Sequence, residues 1–196
     1  MADDETLAFY AARAGEYVQH GSDTPGTHLR AFMDRLPARA RVLELGTGSG
    51  RDAAAMLSRG IDVDPTDASA ELAAEATRRI GRPVRLLRFD ELSAREEYDG
   101  VWASASLLHA PAAELTDDLR RIHRALRHGG VFTASFKAGN GEGRDRFGRY
   151  YNYPDRESLL AHYRAAADWS ELTLEEVAGG GFDGEPTQWL WVTARH

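Results

Sequence analysis

The chain predicts a doubly wound α/β fold: a seven-stranded, mostly parallel sheet closed at one edge by an antiparallel C-terminal hairpin. Three observations carry that reading. Apolar runs of strand length alternate with segments of helical periodicity from residue 41 to residue 137. The run Val42-Leu43-Glu44-Leu45-Gly46-Thr47-Gly48-Ser49-Gly50 passes from a strand through a glycine turn directly into a helix. The end of the chain then changes to two β-rich segments on either side of a glycine-rich turn.

The elements follow in order. Residues 2–20 place Leu7, Phe9, Tyr10, Ala14 and Tyr17 near helical spacing, and the breakers from Gly21 to Gly26 end that helix. A second helix over 27–36 puts Leu29, Phe32, Met33 and Leu36 on one face before Pro37 stops it. Strands are predicted at 41–46, 60–66, 84–89, 98–104 and 131–137, with helices over 50–59, 69–80 and 112–127 between them. Gly129-Gly130 turns the chain into the fifth strand. A helix over 155–167 precedes the hairpin segments 171–177 and 188–193. One domain covers 1–196, with 1–37 as a helical N-terminal segment and 38–196 as the sheet-bearing core. Right-handed crossovers put the strand carboxyl ends on one edge, where a ligand site belongs.

Composition narrows the function. With 196 residues, 42% hydrophobic and 28% charged, the chain is ordinary for one globular domain. It has no cysteine, so disulfides, thiolate metal sites and thiol nucleophiles are excluded. A net charge of −7 without a basic block disfavours a polynucleotide partner, which needs Lys and Arg against phosphates. Lys137 is the only lysine. No apolar run approaches the ~20 residues of a membrane span and the start is acidic, so a cytoplasmic protein without membrane contact is expected.

The glycine run carries the first chemistry. Gly46, Gly48 and Gly50 allow positive φ and let a nucleoside-containing ligand press on the main chain. Their G-x-G-x-G spacing differs from the dinucleotide pattern G-x-G-x-x-G. Glu44 lies inside a strand covered on both faces, and a buried carboxylate needs partners. Asp67, at the end of the second strand and followed by Ala68 and Ser69, is placed to accept two hydrogen bonds from a ribose diol. Asp62 and Asp64 compete for that role but precede the strand's end, and Ser69 reads as a helix N-cap. Asp90 closes the third strand before Glu91 and Leu92. Its carboxylate is placed either to accept from an adenine amine or to cap a local turn.

With these residues in place the chain resembles the class I S-adenosylmethionine-dependent methyltransferases. The segment 42–50 is similar to their glycine-rich cofactor motif, Asp67 to the ribose-binding acid, and Asp90 to the residue beside the adenine. The stretch 98–109 resembles their fourth strand and following loop. Leu126-Arg127-His128-Gly129-Gly130 resembles the turn into the fifth strand, with His128 where proline is usual. The resemblance implies a Rossmann-like fold whose terminal hairpin supplies strands six and seven. It implies S-adenosylmethionine as cofactor and S-adenosylhomocysteine as product. No Cys or His cluster in the chain suggests a catalytic metal, so none is expected. The implied cofactor contacts are Tyr10, Tyr17, Glu44, Gly46, Thr47, Gly48, Ser49, Gly50, Arg51, Asp67, Ala68, Asp90, Glu91, Leu92, Ala103 and Ser104.

His109, following the fourth strand, is the candidate general base, or else a packing residue of the site. Other histidines, His20, His28, His123, His128 and His162, read as surface or helix residues. Tyr10 and Tyr17, on one helix face, resemble a lid of small family members or are ordinary core aromatics. The glycine-rich segment 137–154 reads as an acceptor-gripping loop, with Lys137, Arg144, Tyr150 and Tyr151 as substrate contacts, or as a solvated loop whose arginines pair locally. The segment 103–108 lacks the Asn/Asp-Pro-Pro-aromatic motif of enzymes that methylate base or glutamine amides. A single lysine excludes a Lys-Asp-Lys-Glu tetrad. The expected reaction is methyl transfer to a small O-, N- or S-nucleophile. Other uses of the sulfonium, a non-catalytic binder and a nicotinamide dehydrogenase are the alternatives. The last of these is opposed by the glycine spacing.

Overall fold

The computed structural model describes residues 3–19 and 24–196. Strands β1 (Arg41–Leu45), β2 (Asp62–Asp67), β3 (Arg85–Leu86), β4 (Tyr98–Ala103) and β5 (Leu126–Lys137) are parallel, while β8 (Glu171–Gly180) and β9 (Pro186–Arg195) form an antiparallel hairpin. Their order is β3-β2-β1-β4-β5-β9-β8, with β9 antiparallel to β5. This is the seven-stranded, doubly wound sheet that the alternation of elements predicts. The order reverses direction between β1 and β4, and that switch point opens a crevice beyond the strands' carboxyl ends.

Side-chain alternation along the strands explains the two cores. Val42, Trp102 and Val131 face one side, where Leu29, Phe32 and Met33 of α2 (Thr27–Asp34) and Met56 of α3 (Arg51–Ser58) bury them. Leu43, Leu45, Val101, Ala103, Phe132 and Ala134 face the other side. There they meet Leu115, Leu119 and Ile122 of α5 (Ala112–Ala125) and Leu159 and Tyr163 of α6 (Arg156–Ala166). Gly100 of β4 has to lack a side chain, because a Cβ there would lie 2.7 Å from Leu36 and 2.8 Å from Phe32. α4 (Ala70–Ile80) starts immediately after β2, with Ser69 Oγ accepting from Leu72 N as the predicted cap. α1 (Asp4–Tyr17) packs on α4, and Asp3 caps it through Thr6 N at 2.9 Å. Among the described residues no helix is long and apolar enough to cross a membrane.

Two sequence expectations need correction. β3 is only two residues long, because a single 3₁₀ turn over Phe89–Glu91 takes up the end of the predicted strand 84–89. The segment 137–154 is no open loop. It contains a second small sheet, β6 (Gly141–Arg144) against β7 (Tyr150–Tyr153). The ladder sets Gly141 opposite Tyr153 and Gly143 opposite Tyr151; Gly141 holds φ +117°, and a Cβ at Gly143 would lie 3.7 Å from the Tyr153 ring.

A buried ion pair ties the end of β5 to the β8–β9 turn. Lys137 Nζ donates to Asp183 Oδ2 at 2.8 Å, and the two side chains are only 6% and 8% exposed. Truncating one member of such a pair strands the other charge in the interior. Lys137→Met should therefore cost about 3 kcal/mol of unfolding free energy, measured by urea denaturation. A loss comparable with a surface substitution would show that the pair is effectively solvated.

Candidate functional site

The cavity sits at the switch point, beyond the carboxyl ends of β1, β2 and β4. Its floor is Gly46 and Gly48 after β1, Asp67 and Ala68 at the end of β2, and Ser104, Ala105 and Ser106 after β4. One wall is Leu87, Arg88 and Phe89 after β3, with Leu72 of α4 beside it. Tyr10, Tyr17, Thr6 and Leu7 of α1 and its cap Asp3 cover the opening.

Backbone bonds fix the floor. Gly46 N and Thr47 N both donate to the Thr66 carbonyl, at 3.0 and 2.8 Å, and Gly50 N closes the turn onto Thr47 O at 2.9 Å. The Asp67 carboxylate then ties the turn to the next helix. Its Oδ2 accepts from Gly48 N and its Oδ1 from Ser69 N, each at 2.9 Å. Burial pushes the Asp67 carboxyl pKa up, while these backbone donors pull it back. Asp62 and Asp64 are used elsewhere: Asp62 pairs with Arg82, and Asp64 accepts from Arg85 and Tyr98. Gly46 has φ +74°, and a Cβ there would sit 2.5 Å from Ser106 Cβ. The Ser106 hydroxyl is buried without a hydrogen-bond partner among the described residues. Ala105 beside it holds φ 50°, a strained conformation for a residue other than glycine, and its N–H donates to Ser135 Oγ at 2.8 Å.

His109 lines the cavity wall and is 8% exposed. Its Nδ1 lies 2.6 Å from the Tyr150 carbonyl oxygen and its Nε2 3.0 Å from the Tyr10 hydroxyl. Burial, reinforced by the nearby Arg149 and Lys137 charges and only partly offset by the Tyr150 carbonyl, drives its pKa down to about 4. Tyr10 and Tyr17 meet edge to face at 5.2 Å, and the Tyr17 ring lies 3.3 Å from where a Gly48 Cβ would be.

The comparisons with known proteins agree on one family. A family described as methyltransferase domain matches residues 42–130. Malonyl-acyl-carrier-protein O-methyltransferase of Enterobacter lignolyticus is 31% identical over 133 residues, 66% of this chain and 52% of that protein. The chain thus spans about half the length of that curated relative. A solved 1,6-didemethyltoxoflavin N1-methyltransferase from Burkholderia thailandensis, with bound S-adenosylhomocysteine, is 27% identical. It covers 100% of this chain and 90% of its own, with a TM-score of 0.68. The CcbJ methyltransferase of Streptomyces caelestis, 19% identical, shares the fold at a TM-score of 0.73 over 98% and 99% of the two chains. The chain belongs to the class I S-adenosylmethionine-dependent methyltransferases.

In this chain the predicted cofactor residues divide into three groups. Tyr10, Tyr17, Gly46, Gly48, Asp67, Ala68 and Ser104 line the cavity. Glu44, Thr47, Ser49, Gly50 and Ala103 lie beneath it as support for the turn, and Arg51 donates to Val18 O at 2.6 Å, holding the end of α1. Asp90, Glu91 and Leu92 are displaced from their expected place. The 3₁₀ turn directs Asp90 outwards to Arg88 at 3.7 Å, Glu91 accepts from Arg88 N, and Leu92 is buried in the core. The preceding triplet 87–89 takes the wall instead.

The expected acceptor contacts are also used elsewhere. Lys137 pairs with Asp183, Arg144 donates to Asp3 at 2.7 and 3.0 Å, the Tyr150 hydroxyl donates to Glu142, and Tyr151 is buried against His109 and Tyr153. None of the four lines the cavity. Sequence reasoning missed Asp3, Thr6, Leu7 and Ser106. Asp3 and Ser106 are short polar residues with no distinctive spacing, while Thr6 and Leu7 were visible only as one more helical turn. Of the other histidines, His28 stacks on Trp191 at 4.1 Å, His123 packs on Trp169 and His196, and His162 bonds Thr116. His20 lies outside the described residues.

Glu44 gives this site a pH signature. It is 2% exposed and receives a hydrogen bond from Thr47 Oγ1, and burial together with Asp52 and Asp67 raises its pKa to about 8. A raised carboxyl pKa means that the unfolded chain releases its proton near 4.5 while the native chain holds it. Glu44 thus lowers stability progressively as pH rises from about 4.5 to about 8. Glu44→Gln should gain stability relative to the parent across that window in denaturation curves, with little difference at pH 4. A pH-independent difference would mean that Glu44 is ionised in the native protein.

Proposed function

We propose that this chain transfers a methyl group from S-adenosylmethionine to a small-molecule acceptor. Asp67 carries the reading: a buried carboxylate at the switch point, anchored by two backbone N–H groups, with lone pairs left on both oxygens for a ribose diol. The residues present fit the cofactor. Gly46 and Gly48 leave main chain bare for the methionine end, Leu87 and Phe89 give apolar wall for an adenine, and Ser106 offers a buried hydroxyl that needs a partner.

When bound, the cofactor supplies an electrophilic methyl on a sulfonium, which takes the acceptor's electron pair and leaves S-adenosylhomocysteine. The protein's share is to align the acceptor and to exclude water. Tyr10 and Tyr17 cover the cavity from α1, and that cover is held from outside by Arg144 on Asp3 and by Tyr150 N donating to Thr6 Oγ1 at 2.8 Å. The net charge of −7 favours a metabolite over a nucleic acid as acceptor. His109 lines the cavity and acts through Tyr10, because its Nε2 faces the Tyr10 hydroxyl at 3.0 Å.

Calorimetry with S-adenosylhomocysteine tests the reading, alongside transfer of labelled methyl into a small-metabolite extract. Binding should be weakened by about 1–3 kcal/mol in Asp67→Ala. NADH binding without S-adenosylhomocysteine binding would overturn the cofactor assignment, and release of 5′-methylthioadenosine in place of labelled product would overturn methyl transfer.

A further inference from the structure

The hydrogen-bond directions around Tyr10 are fixed from one end. A carbonyl oxygen only accepts, so the Nδ1 of His109 that faces Tyr150 O carries the imidazole proton. Its Nε2 is then a bare lone pair, and it takes the phenolic proton of Tyr10. Arg149 Nη1 has no lone pair, so it donates to the same phenolic oxygen at 3.1 Å. A tyrosine hydroxyl has one proton and two lone pairs. The proton goes to His109, one lone pair goes to Arg149, and one lone pair remains on a residue that lines the cavity.

Arg149 cannot turn away from this duty. It is 1% exposed, and its Nε and Nη2 donate to Asp145 Oδ2 at 2.9 and 2.6 Å. Asp145 is itself fixed, since its Oδ1 accepts from Phe147 N and Arg149 N. The rings of Phe9, Phe147, Tyr151 and Phe182 stand 4.9–5.6 Å from the guanidinium carbon and close the remaining directions.

We propose that Arg149 is a positioning residue that makes Tyr10 a hydrogen-bond acceptor towards the cavity, so that the site selects a methyl acceptor whose nucleophilic atom carries a hydrogen, an N–H or an O–H. The proposal rests on the methyl-transfer reading above. A protic acceptor donates to Tyr10 and keeps its own lone pair for the methyl. As the new bond forms and the sulfonium leaves as S-adenosylhomocysteine, the acceptor's proton passes to the Tyr10 oxygen while the phenolic proton passes to His109 Nε2, which returns it to solvent. A thioether or a tertiary amine has no proton to give, and leaves the remaining lone pair of the Tyr10 oxygen desolvated and unused. This narrows the O-, N- or S-nucleophile of the sequence reading to one that carries a hydrogen, with N–H and O–H favoured over the weakly donating S–H.

The test uses ¹⁵N-histidine-labelled protein saturated with S-adenosylhomocysteine. His109 should appear as the neutral Nδ1–H tautomer, with an Nε2 resonance that moves towards that of an unbonded nitrogen in Tyr10→Phe. An Nε2–H tautomer, or an Nε2 resonance indifferent to Tyr10→Phe, overturns the proposal. Arg149→Gln should lower kcat/KM for the labelled acceptor about tenfold, with the S-adenosylhomocysteine Kd within about threefold and partial rescue by Arg149→Lys. An equal loss of both readouts would make Arg149 merely structural and overturn its positioning role. Arg149→Gln leaves Asp145 without its partner. Tyr10→Phe, which removes a single oxygen, carries the test where that variant does not fold. A labelled product that is a sulfonium or quaternary ammonium ion contradicts the selection. Failure of S-adenosylhomocysteine to bind strikes the methyl-transfer reading, whereas the tautomer in the free protein judges this inference separately.

Discussion

The site depends on the Asp67 carboxylate bridging two backbone N–H groups, one on the β1–α3 turn and one at the start of α4. Placing a carboxylate at 7% exposure is costly, and backbone donors are the partners that offset the cost. The bond to Gly48 N holds a turn that otherwise rests on the Thr66 carbonyl and the Gly50–Thr47 closure. Glycine at position 46 is then required twice over, by its positive φ and by Ser106 pressing on it from the β4 loop. The floor is therefore preorganised: its polar groups are already aimed before a ligand arrives.

A second layer of constraint closes the cavity from the side. α1 has only Thr6 and Ala14 buried, and polar ties at its ends add to the ring contacts that Phe9 and Tyr17 make with Phe147 and Phe182. Arg144 and Tyr150 N of the small β6–β7 sheet hold its first turn, and Arg51 holds its last through Val18 O. Burial and the Arg144 pairing have opposite effects on Asp3, and the pairing wins, holding its carboxyl pKa at about 2. The same sheet brings Arg149 and Tyr151 against Tyr10 and His109. The residues expected to grip an acceptor thus shape the groups that face one.

How much of this was legible in the sequence follows from the range of each interaction. The glycine run, Asp67 and the Ser69 cap were readable because their chemistry is local, with strand, turn and helix start within a few residues. Tyr10 and Tyr17 were readable as a pair because helical periodicity sets them on one face. The β6–β7 sheet was not, since Gly141 and Gly143 read as breakers until they are paired with Tyr153 and Tyr151 across the ladder. Nor did the sequence tell Arg149 from Arg144 and Arg146 in the same segment. Which one is buried is decided by rings from Phe9 to Phe182, far apart along the chain. The cavity wall after β3 lies three residues earlier than expected because a 3₁₀ turn, and not a continuing strand, ends β3.

In the methyl-transfer reading one carboxylate, that of Asp67, organises the floor and meets the cofactor's sugar, with Tyr10 overhead at the reacting end. A crystal structure of the complex with S-adenosylhomocysteine tests it most directly. The predicted result is a ribose with both hydroxyls donating to Asp67, the Gly48 and Ser69 N–H bonds retained, and the cofactor sulfur turned towards the Tyr10 hydroxyl. A ribose held by a different acid, or a sulfur directed away from Tyr10 and His109, would contradict it.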